Sequence, residues 1–282
     1  MNAPSKKEAL MPQTVVFQLD GKSTQAYEGE TIFKAAQRHG VSIPHLCYKD
    51  GMRPDGNCRA CVVEIEGERT LAPSCCRTVA AGMEVSVNSV RAVKSQKMVL
   101  EMLLSDMPEQ GYKWNDANQS SSPTSAKSVG QHGELSDWAD RLSVHVRPEL
   151  QALRREQPSV DASHPAMLVN LDACIQCNRC VRACREEQVN DVIGYAHRGS
   201  HSAIVFDLQD PMGTSTCVAC GECVQACPTG ALMPKTQVGS QAVDKKVDSV
   251  CPFCGVGCLL TYNVKDNKII SVDGRDGPAN HN

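Results

Sequence analysis

The eleven residues CIQCNRCVRAC (174–184) return in the same spacing as CVACGECVQAC (217–227), so a C-x2-C-x2-C-x3-C run occurs twice, about 43 residues apart. Nothing else in the chain restricts its fold as much. A repeat of this kind marks two copies of one small supersecondary unit, neither of which buries a core alone. The chain has 16 cysteines in 282 residues and only 4% aromatic residues, so something other than apolar packing must organise its small units. The N-terminal MNAPSKKEALMPQTVVF lacks an apolar run long enough for a signal peptide or a spanning helix. Arg154 and Arg155 are internal and do not form an export signal. The expected setting is cytoplasmic and reducing, where clustered cysteines are metal ligands rather than disulfides. A formal net charge of −3 makes no electrostatic case for nucleic acid or a membrane surface as partner.

The duplicated spacing resembles the bacterial ferredoxin run, in which the fourth cysteine of each run ligates the other cluster. That resemblance implies one [4Fe–4S] cluster on Cys174, Cys177, Cys180 and Cys227, and a second on Cys217, Cys220, Cys223 and Cys184. Pro228 follows the second run, as in that pattern. Arg179, Arg182 and Arg185 surround the first run and read as a solvated helix face, with tuning of a cluster's potential as the alternative.

Upstream, TVVFQL (14–19) and STQAY (23–27) flank DGK, a hairpin signal. EGETIFKAAQRHG reads as a helix capped by Thr31, with Ile32, Ala35 and Ala36 on one face and Gly40 at its end. CVVEIEG (61–67) and MEVSVN (83–88) alternate like strands. Two strands, a helix, a long cysteine-bearing loop and further strands outline a small β-grasp. Its cysteines run Cys47-x10-Cys58-x2-Cys61-x13-Cys75, with Gly51, Gly56 and Asn57 supplying turns. A two-iron cluster needs four thiolates, and such a loop leaves backbone N–H groups free to face the sulfurs. The spacing resembles the N-terminal [2Fe–2S] domain of the large peripheral subunit of respiratory complex I and of related hydrogenase and formate dehydrogenase subunits. A structural zinc site is the competing reading, although zinc ligands usually pair at closer spacings. Cys76 is adjacent to Cys75 and could replace it. The resemblance favours Cys75, which leaves Cys76 as a small, partly buried side chain.

Residues 90–104 are apolar at helical spacing (Val90, Val93, Met98, Leu100, Met102, Leu103) and predict a helix that covers the first module. A polar linker over 115–133, a short helix over 133–142, an irregular stretch over 143–167 and a second linker over 237–246 are expected. His132, His145 and His164 read as ordinary surface or linker histidines.

The last motif is CPFCGVGC (251–258), where Cys251, Cys254 and Cys258 are spaced as three ligands of one [4Fe–4S] centre. No cysteine follows it. The order of modules, ending in CPFCGVGCLLTYNV…DGRDGPANHN, resembles the alpha subunit of soluble NAD-dependent molybdenum or tungsten formate dehydrogenases. It is also similar to the complex I large peripheral subunit and to the small diaphorase subunit of NAD-reducing hydrogenases. In the formate dehydrogenase family the fourth cysteine lies about 26 residues past the third. That implies a fourth ligand from outside residues 1–282, with Asp273, Asp276 and His281 as weaker local substitutes. Unlike the complex I relatives, the chain has no cysteine between residues 77 and 173, so their His-plus-three-Cys cluster is not expected.

The expected class is therefore α+β. A β-grasp [2Fe–2S] ferredoxin-like domain (1–90) leads to a helical linker (91–167) and a two-cluster [4Fe–4S] ferredoxin domain (168–236). The start of a bis-pterin oxidoreductase domain (246–282) follows. The resemblance implies an electron-transfer region of an NAD-dependent formate dehydrogenase, without the catalytic domain itself. Its expected partners are a flavin- and NAD-reducing iron–sulfur subunit and the remainder of the alpha subunit. The Mo/W bis-pterin cofactor and FMN are expected elsewhere in the complex, since the chain has no P-loop, no G-x-G-x-x-G and no nucleophile constellation. No catalytic residue is assigned, nor any cofactor-binding residue besides the cluster ligands. A stand-alone diaphorase-type electron-transfer subunit and a zinc-stabilised interaction protein are the alternatives; the last motif is superfluous for the former, and iron analysis separates the latter.

Overall fold

The computed structural model describes residues 13–107, 133–151, 159–235, 243–275 and 277. The expected 115–133 linker, all but Gly133 and including His132, lies outside these residues, as do the Arg154–Arg155 pair, most of the second linker, Asp276 and His281. The chain divides into two compact units, one of Met1–Tyr48 with Arg53–Glu101 and one of Lys49–Met52 with Met102–Asn282.

The first unit is built on a five-stranded sheet in the order β2-β1-β5-β3-β4. β1 (Thr14–Leu19) and β2 (Lys22–Tyr27) form the expected antiparallel hairpin. Its turn residues Asp20 and Gly21 both have positive φ, 49° and 76°, the conformation that favours Asp-Gly in a two-residue turn. β5 (Glu84–Ser86) pairs parallel to β1 and antiparallel to β3 (Val62–Ile65), and β3 also carries β4 (Ala72–Pro73). Helix α1 (Ile32–Arg38) packs Ile32, Phe33, Ala35 and Ala36 inward, and its cap Thr31 accepts from the Lys34 N–H at 3.3 Å. Phe17, Leu19, Val63 and Val85 from the sheet meet this face in one core.

Helix α2 (Val90–Ser105) forms as expected but turns a different face inward. Val90, Met98 and Met102 are exposed, and the buried side chains are Ala92, Gln96, Leu100 and Glu101. The physical reason is a specific polar contact. Gln96 donates from Nε2 to the Val62 carbonyl at 2.9 Å, which satisfies a β3 carbonyl and orients the helix by hydrogen bonding rather than by its most apolar stripe.

In the second unit, α3 (Glu134–Leu142) and a short α4 (Pro148–Gln151) precede the duplicated region. That region pairs β6 (Met167–Val169) with β9 (Leu232–Pro234), and β7 (Ile193–Ala196) with β8 (Ala203–Phe206), each antiparallel. Two short helices, α5 (Arg179–Arg182) and α6 (Glu222–Ala226), lie in the two cysteine runs. A single π-type turn, Ala183–Glu187, follows α5. Cysteines and apolar side chains share one core, with Cys180, Cys184 and Cys223 beside Val181, Ile204 and Phe206.

His164 corrects the sequence reading. It is buried, not at the surface, and its Nδ1 accepts from the Ala166 and Met167 N–H groups, both at 3.2 Å. A ring that accepts two backbone donors is held neutral at the start of β6.

The C-terminal residues form a three-stranded antiparallel sheet of β10 (Lys245–Val250), β11 (Leu259–Lys265) and β12 (Lys268–Gly274). Among the described residues, no helix is long and apolar enough to cross a membrane.

Candidate metal centres

The long loop of the first unit brings Cys47, Cys58, Cys61 and Cys75 together. The Cys47 N–H points at the Cys58 sulfur (3.4 Å), and both the Ser74 hydroxyl and N–H donate to the Cys61 carbonyl (2.7 and 3.1 Å), which binds the Cys75 strand to the Cys58–Cys61 corner. Cys47 accepts from the thiols of Cys58 and Cys75, which hold it well below the usual thiol range. Cys61 is lowered by the Cys75 thiol. Cys58 and Cys75 are pushed up, first by donating to these neighbours and then by burial. Four crowded thiols of this kind cannot all ionise on their own, and a cationic centre among them would remove that conflict.

Cys76 is exposed rather than partly buried. Its sulfur lies 3.6 Å from that of Cys75 and 3.0 Å from where a side chain on Gly56 would begin, at φ +64°. Next to a buried Cys75, it occupies the outer side of the loop.

The two runs of the second unit repeat each other in backbone as well as in spacing. Gln176 and Ala219, each two residues past the first cysteine, have φ of 54° and 59°. Their N–H groups point back at Cys174 and Cys217 sulfurs, both at 3.4 Å. Asn178 and Gly221, each directly after the second cysteine, have φ of 68° and 83° and start α5 and α6. Left-handed residues at fixed offsets fold each run into a cup with amide hydrogens turned inward.

The runs also exchange their last cysteines. One cavity is bordered by Cys174, Cys177 and Cys180 of the first run together with Cys227 of the second. Burial pushes the Cys177 thiol up, and the next largest influence is Cys227, ahead of Cys174 of its own run. Cys180 is raised well above the usual range, mainly by burial. Cys223 is pushed up to about 12 by burial, then by Cys217, Cys220 and Cys184. Cys184 in turn accepts from the Val192 N–H at 3.4 Å. Among the described residues, no three His, Cys, Asp or Glu converge as ligands of a single metal ion would. Thiolates around a polynuclear cluster stand farther apart than around one ion, and the cup-shaped backbone with its inward amides suits that wider arrangement.

Arg179 and Arg182 are not a solvated face. Both are buried, at 2% and 3% exposure, because α5 lies within the repeat core. Arg179 pairs with Glu134 of α3 and reaches the Ala226 carbonyl at 3.4 Å. Only Arg185 behaves as expected, exposed and paired with Asp191 at 2.6 Å. The period of the helix could not reveal this, since four helical residues are too few to define a face.

The last motif is the tip of a hairpin. Val250 and Leu259 are register partners at the ends of β10 and β11, and the Cys251 N–H closes the loop on the Cys258 carbonyl at 2.7 Å. Gly255 and Gly257, at φ 78° and 85°, make the reversal between Cys254 and Cys258. Cys254 is exposed and the other two are half-buried.

A β-grasp unit with four gathered cysteines, a repeat with two interlocked cysteine cups and a third cysteine hairpin define a multi-centre iron–sulfur protein. Family models agree along the chain: a 2Fe-2S iron-sulfur cluster binding domain over residues 12–90, a 4Fe-4S dicluster domain over 173–231 and a molybdopterin oxidoreductase Fe4S4 domain over 244–282. The chain thus carries three iron–sulfur modules in one order, and the proteins it resembles include subunits of oxidoreductases. It is 31% identical to a NADH-quinone oxidoreductase subunit of Rhizobium meliloti over 90% of this chain and 28% of that protein. It is 25% identical to "Putative formate dehydrogenase YrhE" of Bacillus subtilis over 95% of this chain and 30% of that one. The structure is similar to a chain of a NAD+-reducing [NiFe]-hydrogenase crystallised in the H2-reduced state, with a TM-score of 0.66 and 26% identity, covering 82% of this chain and 92% of that chain. The chain spans about a third or less of the length of the curated relatives it matches.

Proposed function

We propose that this chain is the iron–sulfur electron-transfer region of a formate dehydrogenase, working between a Mo/W bis-pterin site that oxidises formate and a flavin subunit that reduces NAD+. The observation that carries the electron-transfer part is the cavity walled by three cysteines of one run and Cys227 of the other. The formate assignment is supported by the molybdopterin-type match over residues 244–282 and by a relative named for formate. The likeness to a hydrogenase chain favours a second reading, an electron-transfer subunit of a NAD-reducing hydrogenase. The hairpin of Cys251, Cys254 and Cys258 weighs for the first, because a diaphorase-type subunit does not need it.

In this reading Cys47, Cys58, Cys61 and Cys75 hold a [2Fe–2S] cluster. Cys174, Cys177, Cys180 and Cys227 hold one [4Fe–4S] cluster, and Cys217, Cys220, Cys223 and Cys184 hold another. Cys251, Cys254 and Cys258 offer three corners of a further [4Fe–4S] site, completed by a ligand from beyond residues 1–282. When bound, the clusters supply one-electron carriers. The chain's own part is to exclude water with its apolar core, to aim amides at the sulfurs, and to keep the pairs of sites a fixed distance apart within each fold. The working divisions are 1–90, 91–167, 168–236 and 246–282, in the cytoplasm.

The test is anaerobic purification of the complete complex, with iron and sulfide analysis and electron paramagnetic resonance after adding formate or H2. About ten irons are expected on the three complete sets of this chain, and about fourteen with the fourth site completed, with signals developing under formate. Reduction by H2 and not by formate selects the hydrogenase reading, and a colourless zinc protein refutes both.

A further inference from the structure

Three segments are joined around the set of Cys184, Cys217, Cys220 and Cys223. Asn190 Nδ2 donates to the Thr216 carbonyl at 3.5 Å, and Thr216 donates from N and Oγ1 to the Asp207 carboxylate at 2.6 and 2.9 Å. The Asp207 N–H donates to the Val192 carbonyl at 2.9 Å, and the Val192 N–H points at the Cys184 sulfur. Residues 184–192, 206–210 and 215–220 therefore form one continuous patch. Val189, Leu208 and Val218 stand out of it, 81%, 93% and 62% exposed, next to the exposed Cys220.

Val189 has φ of 54°, a strained conformation for a β-branched residue. A strained backbone that holds an isopropyl group in water adds nothing to the core. The collar around these apolar groups is acidic: Glu186, Glu187, Asp191 and Asp210 are exposed, and the one basic side chain in the three segments, Arg185, is paired with Asp191. His197 and Arg198 lie at the other end of the β7–β8 hairpin, whose loop meets Gln176 of the first run.

We propose that this face docks a one-electron transfer protein that carries an apolar contact around its own redox centre within a basic rim. The inference rests on the electron-transfer reading above and assigns that reading a surface. Cys184, Cys217, Cys220 and Cys223 would hold the cluster that supplies one electron to the partner's centre or takes one from it; no bond or proton would move. Exposed Cys220 gives this set, alone among the three complete ones, a cysteine open to solvent, and tunnelling falls steeply with distance. Opposite charge on the rims raises the encounter rate and makes it sensitive to salt.

The test uses the full chain with its clusters assembled, and oxidised cytochrome c as a basic one-electron probe. Its affinity for the oxidised chain is measured by calorimetry, and its reduction by the pre-reduced chain is followed by absorbance. Affinity is expected to fall about tenfold between low and high salt, and by a similar factor in a Glu187→Lys/Asp210→Lys variant. Leu208→Ser weakens binding several-fold while leaving the salt dependence unchanged. Ferricyanide, a small anion that needs no docking surface, is reduced by every variant at least as fast as by the parent chain. Intact ferricyanide reduction with unchanged cytochrome c affinity in both variants overturns the docking face alone. Absence of reducible clusters in the parent chain overturns the underlying electron-transfer reading instead. Protection of Leu208 and Val218 from hydroxyl-radical labelling in the free chain also overturns the proposal, because the chain itself would then cover the patch.

Discussion

Arg179 grips Glu134 with both arms of its guanidinium, at 2.6 and 2.7 Å, although the arginine is 2% exposed and the glutamate 42%. The pair binds α3 to the first cysteine run. Removing the acid leaves a buried cation without its carboxylate, whereas replacing the arginine by an apolar side chain removes the cation itself. Glu134→Ala should therefore cost roughly 1–3 kcal/mol and Arg179→Met less. Anaerobic denaturant titrations of the two variants decide it; the reverse order would contradict the argument.

Gly133 precedes α3 and lies against the second run. A β-carbon there would fall 2.8 Å from the Thr229 Cα and closer still to the Pro228 carbonyl oxygen, both backbone atoms. Gly133→Ala should displace the start of α3, lowering the melting temperature and disturbing the spectrum of the site that includes Cys227. Unchanged spectra would show that the backbone gives way freely.

The crossed ligand sets proposed above make a specific spectroscopic prediction. Cys227→Ser should alter the centre formed with Cys174, Cys177 and Cys180, and Cys184→Ser the one formed with Cys217, Cys220 and Cys223. Mössbauer spectra of singly substituted chains read the two centres apart, and changes confined to the substituted run's own first three cysteines would argue against the exchange.

Cys75, fully buried among the other three sulfurs, is expected to close the two-iron site, and exposed Cys76 is not. Cys75→Ser should abolish or shift the reduced [2Fe–2S] resonance, and Cys76→Ser should retain it. Retention in the first with loss in the second reverses the assignment.

Burial, with Lys235 beside it and Asp161 opposing, lowers the pKa of His164 below its ordinary 6.5. The folded chain thus binds fewer protons at this ring than the unfolded chain does. The stability it contributes is complete above about pH 6.5 and declines as the pH falls towards the folded value. His164→Gln should flatten that acid slope in denaturation midpoints measured across the range. A parallel slope in both proteins would exclude the histidine as its source.

Local signals in the sequence proved reliable where one residue type has one physical role. Asp20-Gly21 specified the hairpin turn, Thr31 the cap of α1, and the cysteine spacing the duplicated cups, because turn geometry and thiolate spacing leave few alternatives. What escaped were decisions made between distant segments. The inward face of α2 depends on a carbonyl of β3 that Gln96 can reach, and the burial of Arg179 depends on an acid 45 residues away. His164 lacked any local signature, since its two donors come from backbone amides that only the start of β6 orients. The left-handed Gln176 and Ala219 were legible only in retrospect, from matching offsets in two runs of unlike sequence.

The cavity shared by Cys174, Cys177, Cys180 and Cys227 has a consequence for synthesis. On a ribosome the first three of these thiols emerge well before the fourth, which lies 47 positions past the third. During that interval the nascent protein presents three thiols that lack their fourth, and Cys184 lacks the three of the later run. Assembly of this region therefore waits for the second run, and a delivery protein that arrives before it finds neither set of four complete.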